Sequence, residues 1–187
     1  MAHRLDGKHI AILVAEGFER VELVEPRQAL LDAGASVAIV SPEKDSVAAF
    51  NHHDRADDFP VDVPLDAANA NDYDALLLPG GALNPDSLRM LPAAVSFVKG
   101  FFKEAKPVAA ICHAPWTLIE AGVVRGRTLT SWPSLQTDLK NAGAMWVDRE
   151  AVVDGQLLTS RNPDDIPAFN ERMLDLFAAA KTDTRTR

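Results

Sequence analysis

Lys8-His-Ile-Ala-Ile-Leu-Val14 is a nearly continuous apolar run of strand length, bounded by Gly7 and by Glu16-Gly17, and reads as a strand buried on both faces of a parallel sheet. From about Glu19 to Ala33 the residues Val21, Val24, Leu30 and Leu31 fall at helical spacing, with Gly34 where a left-handed C-cap belongs. Pro26 inside this pattern starts or kinks the helix. Val37 to Val40 is a second apolar strand, closed by Ser41-Pro42. The first forty residues are therefore a β-α-β unit with a right-handed crossover, and an open α/β sheet follows from it.

Outward from this unit the elements keep alternating. Glu43 to Asp72 is acidic and irregular and reads as a surface excursion, with Pro60 to Pro64 alternating like a short edge strand. Ala75 to Leu78 is a third buried strand ending in Pro79-Gly80-Gly81, and Pro92 opens an amphipathic helix through Phe97, Val98, Phe101 and Ala105. Pro107 to Ile111 is a fourth strand, followed by a helix over His113 to Ala121 that Gly122 stops. Thr128 to Ser131 and Met145 to Val147 read as short strands, with a helix over Leu135 to Ala142 between them. Asp154-Gly155 supplies a hairpin turn before the strand Leu157 to Ser160. A last helix starts at Asn162-Pro163 and keeps Ile166, Phe169, Met173, Leu176 and Phe177 on one face. The expected organisation is one domain with a core over about 8–178 and a polar, fraying tail over 181–187.

Composition bounds the function. With 187 residues, 47% of them hydrophobic and 25% charged, the chain can bury a full core, which excludes a disordered or fibrous protein. Acidic residues outnumber basic ones, 27 to 19, and the net charge of −8 gives no general attraction to nucleic acid. No apolar stretch approaches the ~20 residues of a membrane span, so a soluble, cytoplasmic protein is expected. A single cysteine, Cys112, can form no internal disulfide and no thiolate metal cluster.

Cys112 ends the fourth strand and the next residues open a helix, which is the layout of a nucleophile elbow, with Ala110 and Ala114 in the places where small residues let the chain turn. Such a turn exposes the sulfur above the carboxyl ends of the strands and beside a helix N-terminus that favours thiolate. The competing reading is a small buried hydrophobe, the commonest state of a free cysteine. Histidines occur only at positions 3, 9, 52, 53 and 113, so no downstream histidine completes an amidotransferase-type triad. His113 and any carboxylate brought in by the fold are the remaining base candidates. Gly80-Gly81 leaves backbone N–H groups uncovered, and Gly81 is the candidate oxyanion donor. His52-His53-Asp54 with Asp57 and Asp58 is a poor metal set because adjacent histidines point different ways, and no metal is expected. No phosphate loop or G-x-G-x-x-G follows a strand, so no nucleotide cofactor is expected.

Four motifs in order, Glu16-Gly-Phe-Glu-Arg-Val-Glu-Leu23, Leu78-Pro-Gly-Gly81, Ala110-Ile-Cys-His-Ala-Pro115 and Thr130-Ser-Trp-Pro133, resemble the PfpI endopeptidase-like family, a group that includes bacterial general stress proteins. The resemblance spans about Lys8 to Phe177. It implies a flavodoxin-like three-layer sandwich, with a mostly parallel central sheet and helices on both faces. It further implies a nucleophilic Cys112, a protonated Glu19 hydrogen-bonded to the sulfur, and oxyanion donors on Gly81 and His113. Trp132 matches an aromatic position lining the pocket. Asp86, in Asn84-Pro-Asp-Ser87, stands where a neighbouring subunit's glutamate orients the histidine, which implies a homodimer or higher homo-oligomer; the side chain here is one methylene shorter. The expected function is a cofactor-independent cysteine enzyme acting on a small-molecule or peptide carbonyl, as a peptidase, deglycase or glyoxalase-type enzyme. A redox-sensing or chaperone-like stress protein, and a subunit with a vestigial pocket, are the alternatives.

Overall fold

The apolar run after Gly7 becomes β1 (His9–Leu13), which the computed structural model, describing residues 4–180, places inside the main sheet. After the bend at Glu16-Gly17 come the two-residue β2 (Phe18–Glu19), helix α1 (Arg20–Asp32) and β3 (Ser36–Ser41). β4 (Ser46–Asn51), β5 (Asp54–Pro60) and the short β6 (Val63–Pro64) follow. Next are β7 (Ala75–Leu78), α2 (Leu83–Arg89), α3 (Pro92–Lys103), β8 (Val108–Ile111) and α4 (Pro115–Glu120). The remaining elements are β9 (Thr128–Leu129), α5 (Gln136–Asn141), β10 (Met145–Trp146), β11 (Val152–Asp154), β12 (Leu157–Ser160) and α6 (Ile166–Ala179). The polar tail over 181–187 lies outside the described residues.

Seven strands form the main sheet in the order β11-β12-β8-β7-β1-β3-β6, and only the β11–β12 hairpin is antiparallel. Because alternate side chains of a strand face opposite ways, Ile10 and Ile12 enter one hydrophobic cluster and Ala11 and Leu13 another. The first cluster is closed by Leu23 and Leu30 of α1 and Phe169, Met173 and Phe177 of α6. Phe97, Val98 and Phe101 of α3 and Leu118 of α4 close the second. Helices thus cover both faces, as the β-α-β reading requires, and each fully buried Leu, Ile or Phe contributes about 1.5–3 kcal/mol to holding the three layers together. Among the described residues no helix is long and apolar enough to cross a membrane.

Two segments differ from the sequence expectation. The acidic stretch read as a surface excursion contains a hairpin, β4–β5, which joins β2 in a separate three-stranded sheet. Its outer strand is almost entirely exposed, and its inward contacts are few: Val47, Ala48 and Ala49 are buried, and Phe59 meets Phe18 edge-on at 5.7 Å between ring centroids. So short an apolar face leaves little alternation to read. Helix α2 was not anticipated either, because its seven residues carry Pro85 and no regular apolar period.

What fixes α2 is polar. Asn84 is fully buried, accepts the Ala15 N–H at 2.7 Å, and donates to the carbonyls of Pro79 and Gly80, both at 2.9 Å. One side chain therefore ties the ends of β1 and β7 to the start of α2. Replacing it leaves the Ala15 N–H and the Pro79 carbonyl short of a partner, while the Gly80 carbonyl keeps the Glu19 N–H at 3.3 Å. Asn84→Ala is expected to lower unfolding stability by about 2–4 kcal/mol, measured by urea denaturation; an unchanged midpoint would show that α2 is held by other means.

Candidate active site

Cys112 follows directly on β8 with φ of 64°, a left-handed conformation that costs a non-glycine residue about 1–2 kcal/mol. Two hydrogen bonds hold it there. Its N–H donates to the Ser160 carbonyl at 3.0 Å, and its carbonyl accepts the Trp132 N–H at 2.9 Å. The small residues expected on either side, Ala110 and Ala114, are both buried in the tight corner. The elbow read from the sequence is therefore present. Helix α4 begins only at Pro115 and has six residues, so the turn itself, rather than a helix end, sets the sulfur's surroundings.

Cys112 is only 6% exposed, yet it lines a cavity of about 560 Å³. The His113 Nδ1 lies 3.1 Å from Sγ, and the backbone N–H groups of Gly81 and His113 both donate toward the sulfur. The His113 ring stacks on Trp132 at 5.6 Å and 21°. Burial lowers the His113 pKa, keeping its imidazole neutral and able to take a proton.

The carboxyl at the sulfur belongs to Glu22, not to Glu19. Glu22 lies in the first turn of α1 on the face that buries Leu23, Pro26 and Leu30, and it hydrogen-bonds Cys112 while its Oε2 accepts the Gly80 N–H at 2.8 Å. Glu19 ends β2 one turn earlier; its Oε2 accepts the His52 N–H at 3.0 Å. The two glutamates are three residues apart in one motif, and the start of α1 decides which one turns inward. The repeated spacing Glu22, Pro26, Leu30 on the buried face is the signal that identifies Glu22 from sequence.

Gly80 and Gly81 have different tasks. A Cβ on Gly80 would lie 2.6 Å from both the Cys112 Cβ and the Glu22 Oε2, so only glycine lets β7 pass this close to the elbow. Its N–H is taken by Glu22, which removes Gly80 from the oxyanion donors. Gly81 has φ of +82°, and a Cβ there would sit 2.5 Å from the Gly17 carbonyl; its N–H remains directed at the sulfur. Trp132 lines the cavity. Asp86 does not: it is exposed on α2, and among the described residues no hydrogen bond joins it to His113. Phe50, His52, His53, Leu83 and Pro163 also line the cavity, with Gly17 and Ala82, and were not anticipated as site residues, in part because the hairpin that carries three of them was itself illegible.

Burial is the dominant electrostatic influence. It pushes Glu22 from 4.5 to about 8, with the Glu19 charge adding and the Gly80 N–H opposing, so the carboxyl is protonated at neutral pH. Burial likewise pushes the Cys112 thiol up, opposed by the Gly81 and His113 N–H groups. The reason is the sulfur's enclosure. A Glu22 carboxylate would raise the thiol further, whereas the neutral acid donates a hydrogen bond and favours thiolate. The raised Glu22 value carries a stability signature. Its contribution is complete below the ordinary value of 4.5 and is lost as pH rises to about 8. Wild type is expected to lose stability relative to Glu22→Gln across that interval, by at most about 1.4 kcal/mol per pH unit; parallel urea-denaturation profiles would show that Glu22 is ionised in the folded protein.

The chain matches the DJ-1/PfpI family over residues 8–176. It is 43% identical over 171 residues to General stress protein 18 of Bacillus subtilis, covering 91% of this chain and 98% of that one. It is 42% identical over 173 residues to Protein/nucleic acid deglycase 2 of Escherichia coli, covering 92% and 99%. Among solved structures, Drosophila melanogaster DJ-1beta superposes with a TM-score of 0.82 at 28% identity, over 91% of this chain and 90% of that one. An elbow cysteine in a mostly parallel α/β sandwich, and these likenesses over nearly the whole described chain, place it in the DJ-1/PfpI family.

Proposed function

We propose that this protein is a cysteine enzyme acting on reactive carbonyl compounds or their adducts, with Cys112 as the nucleophile. The observation that carries this reading is the convergence on one sulfur of two backbone N–H groups, a neutral imidazole and a buried carboxyl at the wall of a cavity. In the reacting form Glu22 keeps its proton and donates to the Cys112 thiolate, and Sγ attacks the carbonyl carbon. The new C–S bond forms as the carbonyl π pair moves to oxygen, where the Gly81 and His113 N–H groups receive it. His113 Nδ1, 3.1 Å from Sγ, takes the thiol proton as the sulfur attacks, delivers it to the alkoxide or leaving amine, and then takes one from the water that releases product. Addition to a carbonyl and its reversal need only these protons and donors, so the proposal includes no cofactor.

The deglycase relative supports glycated amines as the substrates to try first. A redox-sensing role uses the same sulfur, but sensor thiols are open to solvent, whereas this one is only 6% exposed. We also propose a homodimer in which Asp86 of one copy orients His113 of the other. Asp86 is exposed, and the His113 Nε2 has no hydrogen-bonding partner among the described residues.

Cys112→Ala is expected to lower turnover of methylglyoxal or glycated amines by about three orders of magnitude or more. Unaltered turnover by that variant would exclude Cys112 as the nucleophile. Asp86→Ala is expected to lower kcat at high protein concentration, with wild type converging on the variant on dilution below the dimer dissociation constant; an undiluted variant matching wild type would remove Asp86 from the site.

A further inference from the structure

The cavity holds a carboxyl that the chemistry at Cys112 does not use. Glu19 lines the wall with its side chain 11% exposed, held by the His52 N–H at 3.0 Å and with the His52 Nδ1 3.6 Å from the same oxygen. His52 adopts φ of 58° at the β4–β5 turn, which brings its N–H over Glu19. Among the described residues no lysine or arginine lines the cavity, and the guanidinium of Arg20, next in sequence, is bound to Asp57 on β5 instead. The other titratable groups on the wall are Glu22, Cys112 and the imidazoles of His52, His53 and His113; Asp54 and Arg55 flank the turn, and Arg55 pairs with Asp58. A charged substrate therefore meets Glu19 with no fixed cation to offset it, in a confined space where an ionic interaction is several-fold stronger than in bulk water.

Resting on the reading of Cys112 as the nucleophile, we propose that Glu19 is the specificity-determining residue of the cavity, admitting neutral and cationic carbonyl compounds and turning away those that carry a carboxylate, such as α-oxo acids. The His52 turn positions Glu19 for this role. The apolar remainder of the wall, Phe50, Leu83, Trp132 and Pro163, offers an excluded anion no compensating donor. The two carboxyls face different partners, and although the Glu19 charge also helps to raise Glu22, the ratio of cationic to anionic rates within one variant cancels any change in the thiol's own reactivity.

The test compares modification of Cys112 by three methanethiosulfonate reagents of similar size, one neutral, one bearing trimethylammonium and one bearing sulfonate, each rate normalised to that of a free small thiol. Wild type is expected to favour the cationic over the anionic reagent by about tenfold, and Glu19→Gln to reduce that preference about fivefold. Glu19→Asp should retain most of it, and Glu25→Gln, which removes an exposed charge elsewhere on α1, should leave it unaltered. A Glu19→Gln preference within twofold of wild type, or an equal effect of Glu25→Gln, would overturn the proposal. Failure of Cys112 to react even with the neutral reagent would count against the nucleophile alone. Quenching of Trp132 fluorescence, isolated by difference from Trp132→Phe, then decides the charge question without the sulfur: Glu19→Gln should raise quenching by iodide relative to caesium, and an unchanged ratio would again overturn it.

Discussion

A carboxyl and a thiol share one water-poor corner at the carboxyl end of the sheet, and most of the surrounding structure serves to keep them there. Two ionised groups in such a place would repel strongly, so at neutral pH the carboxyl of Glu22 holds its proton. That requirement explains several otherwise separate features. Gly80 must lack a side chain because the Cys112 Cβ and the Glu22 carboxyl occupy the space a Cβ would take. The left-handed backbone at Cys112 is maintained by hydrogen bonds from both sides, one to β12 and one from the Trp132 loop. Asn84 then fixes the loop after β7 against the end of β1.

The site is assembled from the ends of non-consecutive elements, as open α/β sheets allow. β8 supplies the sulfur, the loop after β7 the Gly81 N–H, and α1 the buried acid. A second, smaller sheet adds what the main sheet lacks, a wall. Its β4–β5 turn brings His52 and His53 over the cavity and holds Glu19 apart from the sulfur. The result separates two glutamates of one motif into different environments: one neutral and directed at the thiol, the other facing the space a substrate would occupy.

The sequence was most legible where burial imposes a period. β1, β3, β7 and β8 are short apolar runs closed by glycine or proline, and the order of strands and helices followed from them. The elbow at Cys112 and the left-handed Gly81 could be recognised because few residue types suit such backbone. Glu19 and Glu22 were harder to separate, since their roles depend on where α1 begins, a boundary uncertain by one or two residues from sequence alone. The cavity wall was hidden for a different reason: β5 is exposed and acidic, and β2 has two residues, so their pairing is decided by tertiary contact of Phe18 and Phe59 rather than by local pattern.

The most direct measurement is the rate of Cys112 alkylation by iodoacetamide as a function of pH, in wild type and in Glu22→Gln. If the acid keeps its proton and donates to the sulfur, replacing it with the weaker amide donor moves the reactivity midpoint to higher pH and slows the reaction at neutrality. A midpoint that moves to lower pH in Glu22→Gln would contradict this, because it would mean that an ionised Glu22 repels the thiolate in the native protein.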